Sequence, residues 1–103
     1  MSNMTVADRL IHACEQLPGF FGYRPSMKDN EIVIDELQFR LPDEENECEY
    51  YLRLYLNENQ CTHAEIDAHY SDNSIARIED NESGFEDIIG HKNKLMHALN
   101  QYL

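Results

Sequence analysis

The spacing of apolar residues switches from a helical period near the N-terminus to alternation in the middle of the chain, and then back again. Residues 5–17 place apolar side chains three and four positions apart, as in an amphipathic helix. Thr5 can cap its first turn, and Pro18 followed by Gly19 ends the pattern. Residues 83–103 return to helical spacing, and one face is marked by Phe85, Ile88, Ile89, Lys92, Leu95, Met96, Leu99 and Leu103. The pattern predicts one helix at each end of the chain.

Between these helices, three segments alternate apolar and polar residues in the manner of half-buried strands. They are residues 31–41, 48–57 and 61–70. In the first segment the alternation changes parity near Asp35–Glu36, which predicts a bulge. Short connections favour pairing in sequence order, as an antiparallel meander. A small apolar patch at residues 75–78 predicts either a fourth strand at the sheet edge or a loop that covers the core.

Residues 18–30 are rich in proline and glycine and are predicted to form a loop. Phe20 and Phe21 within it are expected to fill the core between the first helix and the sheet, because aromatic side chains are usually buried. The alternative is that they form an exposed contact loop.

These elements predict a single α+β domain over residues 1–103. Its architecture is a two-layer sandwich in which an antiparallel three- to four-stranded meander sheet packs on an N-terminal and a C-terminal helix, in the order α-β-β-β-(β)-α. The helices cover the apolar face of the sheet and leave the other face open. The open face should carry Tyr51, Arg53 and Tyr55 beside Cys61, His63, Glu65, Asp67 and His69.

The open face has two interpretations. Tyrosine and arginine are enriched where proteins bind one another, which favours a contact surface. The plainer alternative is a solvated face on which Arg53 pairs with carboxylates across the strands. A contact surface is compatible with docking of a target protein and with a homodimer.

Charge changes this picture most. The chain has a formal net charge of −12, and residues 31–87 hold seventeen acidic residues against three arginines, which gives −14 for that segment. Residues 1–30 balance to zero, and residues 88–103 contribute +2 through two lysines. Such a field repels nucleic acids and anionic membranes and attracts proteins with a basic surface. Solubility alone is the other explanation of the acidity.

The cysteine content bears on location. Cys14, Cys48 and Cys61 are far apart in the sequence. An odd number of cysteines behind a polar N-terminus without a signal-peptide pattern predicts reduced thiols and a cytoplasmic protein. The longest apolar runs are only a few residues, which predicts no membrane span.

Metal binding and catalysis are both disfavoured. Cys61, His63 and His69, with Glu65 or Asp67, offer zinc-ligand chemistry, but alternate strand residues about 6–7 Å apart suit two ligands and not a closed site of four. Acidic surroundings raise the pKa of a thiol, which disfavours a cysteine nucleophile. We therefore predict no cofactor, no metal and no enzymatic activity. The remaining histidines are expected on the helix surfaces: His12, His91 and His97.

The pattern as a whole predicts a non-catalytic protein-binding module. Its most favoured form is an acidic inhibitor or antagonist, as in phage or mobile-element inhibitors and immunity proteins, whose carboxylates imitate nucleic-acid phosphates and dock the basic groove of a nucleic-acid-binding protein or nuclease. Two alternatives stay open: an acidic dimeric chaperone or adaptor, such as a secretion chaperone, and a small metal-binding protein or enzyme. The predicted partner-binding residues are Glu44, Glu45, Glu47, Glu49, Tyr51, Arg53, Tyr55, Glu65 and Asp67.

Overall fold

Two helices lie against one face of a twisted antiparallel sheet in the structure of the chain, a computed structural model. The structure describes residues 6–24, 26–28, 31–42, 46–57 and 60–101, and the side chains of residues 8–24, 36–42, 46–56 and 60–101. The elements are α1 (Val6–Glu15), β1 (Phe20–Gly22), β2 (Ser26–Lys28), β3 (Glu31–Phe39), β4 (Cys48–Asn57), β5 (Gln60–Tyr70), β6 (Ile75–Ile78) and α2 (Glu86–Gln101). The predicted α+β class and two-layer architecture are confirmed.

The sheet is built on the predicted meander. Strands β3, β4, β5 and β6 pair antiparallel in sequence order, which confirms the edge strand at residues 75–78. Beyond β3, the short strands β1 and β2 each pair with a different part of that strand. The prediction of a loop over residues 18–30 was therefore wrong for Phe20–Gly22 and Ser26–Lys28. Three-residue strands are too short to show alternation, and their pairing with β3 stabilises them where local propensity does not.

The predicted bulge in β3 is present. Glu36 adopts a left-handed backbone with φ of 53°, and the register with β4 shifts between Ile34 and Leu37. The extra residue turns Leu37 and Phe39 onto the helix-covered face, where both are fully buried. The change of parity in the sequence marked this bulge, and the bulge is what places both side chains in the core.

The core lies between the sheet and α2, with α1 packed alongside α2. One buried cluster unites residues of the central strands with residues of α2, namely Tyr50, Leu52, Leu54 and Ile66 with Ile88, Leu95 and Leu99. Asn100 near the end of α2 accepts a hydrogen bond from the backbone N–H of Cys61 at 2.8 Å and donates to its carbonyl at 3.3 Å. This pair fixes the far end of α2 to the start of β5.

Neither described helix is long and apolar enough to cross a membrane.

The expectation of two buried phenylalanines in β1 was wrong for one of them, and the expectation of a surface His91 was wrong. Phe20 does pack on Phe39, with ring centroids 5.4 Å apart, but Phe21 is 43% exposed and lies under the Arg40 guanidinium. His91 was expected at the surface and is buried. Its Nε2 donates to the Pro18 carbonyl at 3.2 Å, so the imidazole joins α2 to the end of the α1 segment. A single polar contact of this kind leaves no trace in the helical pattern.

Candidate functional site

The centre of the open sheet face is an internally paired network of charges. Strand pairing sets Arg53 of β4 opposite Glu65 of β5, and Asp67 opposite Arg77 of β6. Arg77 bonds both carboxylates, with Nε donating to Asp67 Oδ1 at 2.6 Å and Nη1 donating to Glu65. Arg53 Nη1 lies 3.4 Å from Asp67 Oδ2. The Tyr55 hydroxyl donates to Glu65 Oε1 at 2.6 Å. Two arginines thus neutralise two carboxylates within the face.

The pKa shifts in this network favour the charged forms. The hydrogen bond from Tyr55, with the guanidinium of Arg77 beside it, lowers the pKa of Glu65. The hydrogen bond to Asp67 raises the pKa of Arg77. Both groups are therefore ionised at neutral pH, and their charges cancel across a few ångströms. The carboxylates of Glu65 and Asp67 do not form an outward row of negative charge.

Two stacked Tyr–His pairs flank the network. The rings of Tyr51 and His69 lie 4.0 Å apart at an interplanar angle of 29°, and those of Tyr55 and His63 lie 5.2 Å apart at 24°. Each pair spans β4 and β5, so the rings brace the strands on either side of the ion pairs. The open face consequently has cross-strand ring stacking on both sides of its ion pairs.

Cys61 does not lie on this face, which corrects the sequence expectation. The register of β4 with β5 shifts between the pairs Tyr55–His63 and Leu56–Cys61, and Thr62 is the extra residue. The shift turns Cys61 into the core, where only 3% of it is exposed, while His63 stays on the open face. A Cys61–His63 zinc pair on one face is therefore excluded. Among the described residues, no group of three or more His, Cys, Asp or Glu could hold a metal ion.

The thiols should differ sharply in reactivity. Burial, with the nearby charge of Glu15, raises the pKa of Cys14 from 9.0 to about 12, and burial also raises the pKa of Cys61. Because the thiolate is the reactive form, we expect Cys14 to react about a thousandfold more slowly than an ordinary thiol at neutral pH. Alkylation of the native protein followed by peptide mass spectrometry should find Cys48, which is half-buried, labelled first. Unfolding in denaturant should make all three react alike, whereas early labelling of Cys14 in the native protein would contradict the structure.

A cleft of about 700 Å³ lies beside the open face, at the end of the sheet where β3 ends and β4 begins. We call it the end cleft. Its walls come from the β3–β4 connection, the start of β4, the end of β5 and the turn that follows β5. Its lining includes Arg40, Pro42, Glu47, Glu49, Tyr51 and Tyr70. It therefore combines carboxylates, aromatic rings and apolar surface in one concave site.

Glu49 and Glu47 have different surroundings at this cleft. Arg40 Nη2 donates to Glu49 Oε1 at 2.6 Å, and the Tyr51 hydroxyl donates to Oε2 at 3.3 Å, so both oxygens of Glu49 are engaged. Partial burial and the charge of Glu49 raise the pKa of Tyr51, which keeps that hydroxyl protonated as a donor. Glu47 is exposed and has no ion-pair or hydrogen-bond partner among the described residues. Its carboxylate is available to a ligand.

A second, smaller cleft of about 330 Å³ adjoins the first, because Leu41 and Pro42 line both. The first residues of α2, including Glu86 and Asp87, form its other side. We define the acidic rim as the four carboxylates that line these two clefts, namely Glu47, Glu49, Glu86 and Asp87. Arg40 is the one arginine or lysine in the described lining, so four carboxylates and one arginine leave a formal charge of −3. Of these four carboxylates, only Glu49 has an ion-pair partner among the described residues, namely Arg40.

The predicted partner-binding residues separate into two groups in the structure. Glu47, Glu49 and Tyr51 meet at the end cleft, whereas Arg53, Tyr55, Glu65 and Asp67 belong to the open-face network. Glu44 and Glu45 lie outside the described residues. Sequence reasoning missed the contributions of Tyr70 and Arg77, and it did not count the acidic residues Glu86 and Asp87 among the predicted partner-binding residues. The position of Tyr70 could have been predicted, because a meander with a known β4–β5 turn pairs Cys48 with Tyr70. The approach of α2 to Pro42 could not, because no sequence pattern near either element indicates it.

Comparison with known proteins gives no further guidance to the site. The chain matches no protein-family model, no curated protein and no solved structure. Geometry, charge and burial of the described residues are consequently the basis for assigning a function.

Proposed function

We propose that this chain is a non-catalytic inhibitor or antagonist that docks the basic groove of a nucleic-acid-binding protein or nuclease. The observation that carries the proposal is the acidic rim, whose four carboxylates line two clefts that share Leu41 and Pro42. Proteins bind nucleic acids chiefly through lysine and arginine contacts to phosphates. A set of carboxylates along two adjoining clefts offers such a groove negative charge of the kind that phosphates present.

We propose the end of the sheet as the contact, in preference to the open sheet face. On the open face, Arg53 and Arg77 already neutralise Glu65 and Asp67, so a basic partner would have to displace existing pairs. At the rim, Glu47 has no partner among the described residues, and Asp87 is exposed. Electrostatic docking gains most where a charge is not yet compensated.

Docking through apolar surface, as in a chaperone, has less support in the described residues. Phe21 and Ile75 are the exposed large apolar side chains there, and they lie on opposite edges of the sheet, in β1 and β6. A groove-binding chaperone needs contiguous apolar area. The two modes differ in their salt dependence, because added salt weakens electrostatic docking steeply and apolar docking little.

Charge reversal at the β3–β4 connection should abolish partner capture. We expect the immobilised wild-type chain to capture a nucleic-acid-binding protein from a lysate of its source cells at about 150 mM salt. The captured protein, once purified, should lose its nucleic-acid binding when the chain is added. The variant Glu44→Lys/Glu45→Lys/Glu47→Lys should do neither, because its carboxylates no longer stand in for phosphates.

A matched control separates local charge from overall charge. Glu15→Lys/Glu79→Lys/Glu82→Lys makes the same change in net charge, from −12 to −6, at exposed or half-buried positions outside both clefts. We expect this control to keep most of the capture. Equal loss in both triple variants, or capture that persists in the first, would show that the carboxylates of residues 44–47 do not dock the partner.

A further inference from the structure

The end cleft has chemistry beyond its negative charge. Its volume of about 700 Å³ is in the range of clefts that bind ligands, which are commonly apolar sites with a few placed polar groups. The ring of Tyr51, stacked on His69, forms one wall, and Tyr70 and Pro42 form others. Aromatic faces beside a carboxylate are the surroundings that a guanidinium prefers, because it stacks on rings and hydrogen-bonds to carboxylate oxygens at the same time.

The chain's own Arg40 shows this chemistry at the edge of the cleft. Its guanidinium donates to Glu49 and lies over the ring of Phe21, with Cζ 4.5 Å from the ring centroid. Arg40 and Tyr51 together engage both oxygens of Glu49. A second guanidinium entering the cleft would therefore meet Glu47, whose carboxylate is exposed and has no partner among the described residues.

We propose that the end cleft is an arginine-binding site that receives one arginine side chain from the protein partner. The guanidinium binds the Glu47 carboxylate against the aromatic wall of Tyr51, and the aliphatic part of the side chain packs on Pro42. This inference rests on the proposed function, in that the partner is a basic protein, and it adds the residue that anchors the partner. Arginine is a frequent anchor of protein interfaces, where it sits in desolvated pockets.

The geometry also discriminates between arginine and lysine. An ammonium group is a compact and strongly hydrated charge, and it has no planar face to stack on a ring. A lysine ammonium would form the ion pair with Glu47 but would gain little from stacking on the ring of Tyr51. A citrulline side chain keeps the planar shape of arginine without its charge, so it would gain the stacking and lose the ion pair.

The test is an NMR titration of the full chain, labelled with ¹⁵N, with three small probes. These are the N-acetyl amides of arginine, lysine and citrulline. We expect the arginine probe to shift the amide signals of residues 46–51 and 69–73 and to bind several-fold more tightly than the lysine probe. We expect no measurable binding of citrulline. Shifts spread over residues 79–87 to the same extent, or equal binding of arginine and lysine, would overturn the proposal.

Two pairs of variants test the individual contacts. Glu47→Gln should weaken binding of the arginine probe by about tenfold, the loss expected for one charged hydrogen bond, whereas Glu79→Gln removes the same charge outside the cleft and should change little. Tyr51→Leu should also weaken binding, whereas Tyr51→Phe keeps the ring and should not. The ¹⁵N spectrum of each variant reports whether it is folded. Equal effects within either pair would contradict the assignment.

The two proposals can fail separately. If the arginine probe does not bind the end cleft but capture of the partner still depends on residues 44–47, the arginine site is wrong and the docking function stands. If the probe binds as expected but charge reversal leaves capture intact, the docking function is wrong and the cleft is an arginine site of another use.

Discussion

Replacing Phe39 by alanine should cost about 3–5 kcal/mol of unfolding free energy, a large part of the roughly 5–15 kcal/mol that stabilises a typical domain. Phe39 is fully buried, and its ring lies 5.4 Å from that of Phe20 and 5.2 Å from that of His91. Truncation leaves a cavity where β3, the segment after α1, and α2 meet. Urea unfolding followed by circular dichroism measures the loss.

Phe21 provides the matched control for this variant. It lies in β1 next to Phe20 and is 43% exposed, with one face covered by the Arg40 guanidinium. Phe21→Ala removes the same ring and should cost about 1 kcal/mol, chiefly the cation–π contact. If both alanine variants lose similar stability, the placement of Phe39 at the centre of the core is wrong.

Replacing Gly19 by alanine should have the second-largest effect, about 2–3 kcal/mol of destabilisation. Gly19 has φ of 87°, a left-handed conformation that disfavours any residue with a Cβ. A Cβ there would also lie 2.8 Å from the Arg40 carbonyl oxygen and 2.7 Å from Leu41 Cδ2. Since the Gly19 carbonyl accepts the Arg40 N–H at 2.8 Å, the backbone cannot move away without losing that bond. Urea unfolding again provides the measurement.

Gly90 is the contrasting glycine. It lies within α2, and a Cβ built on it meets nothing within 4 Å. Gly90→Ala should therefore stabilise the protein by up to about 1 kcal/mol, because alanine has the higher helix propensity. A gain at Gly90 together with a loss at Gly19 would establish both backbone assignments. A loss at both positions would argue that α2 packs more closely at Gly90 than the structure shows.

Much of the fold could be predicted because its elements are long and periodic. β4 spans the ten residues expected from its alternation, and the parity change at Asp35–Glu36 marked the bulge. Two features were missed for a common reason. Both depend on pairing with a neighbouring strand: the bulge at Thr62 on β4, and the strands β1 and β2 on β3. The sequence of each segment by itself does not show that pairing.

The candidate site was harder to predict than the fold. Alternation correctly placed Arg53, Glu65 and Asp67 on one face, but it could not show that Arg77 would reach across from β6 to neutralise the two acids. Likewise, the carboxylates of α2 join those of the β3–β4 connection only because the helix begins beside Leu41 and Pro42. Pattern analysis finds which residues share an element, whereas ion pairing and clefts arise between elements.

The self-neutralised sheet face has a consequence for the kinetics of association. Arg53 and Arg77 balance the charges of Glu65 and Asp67, so this face attracts a distant charge only weakly. The adjoining rim, counted with Arg40, has a formal charge of −3. The two surfaces together give that part of the molecule an electric dipole, which the field of the proposed basic partner would orient before contact. The chain would then reach its partner with the rim leading, so that a larger share of random collisions is productive.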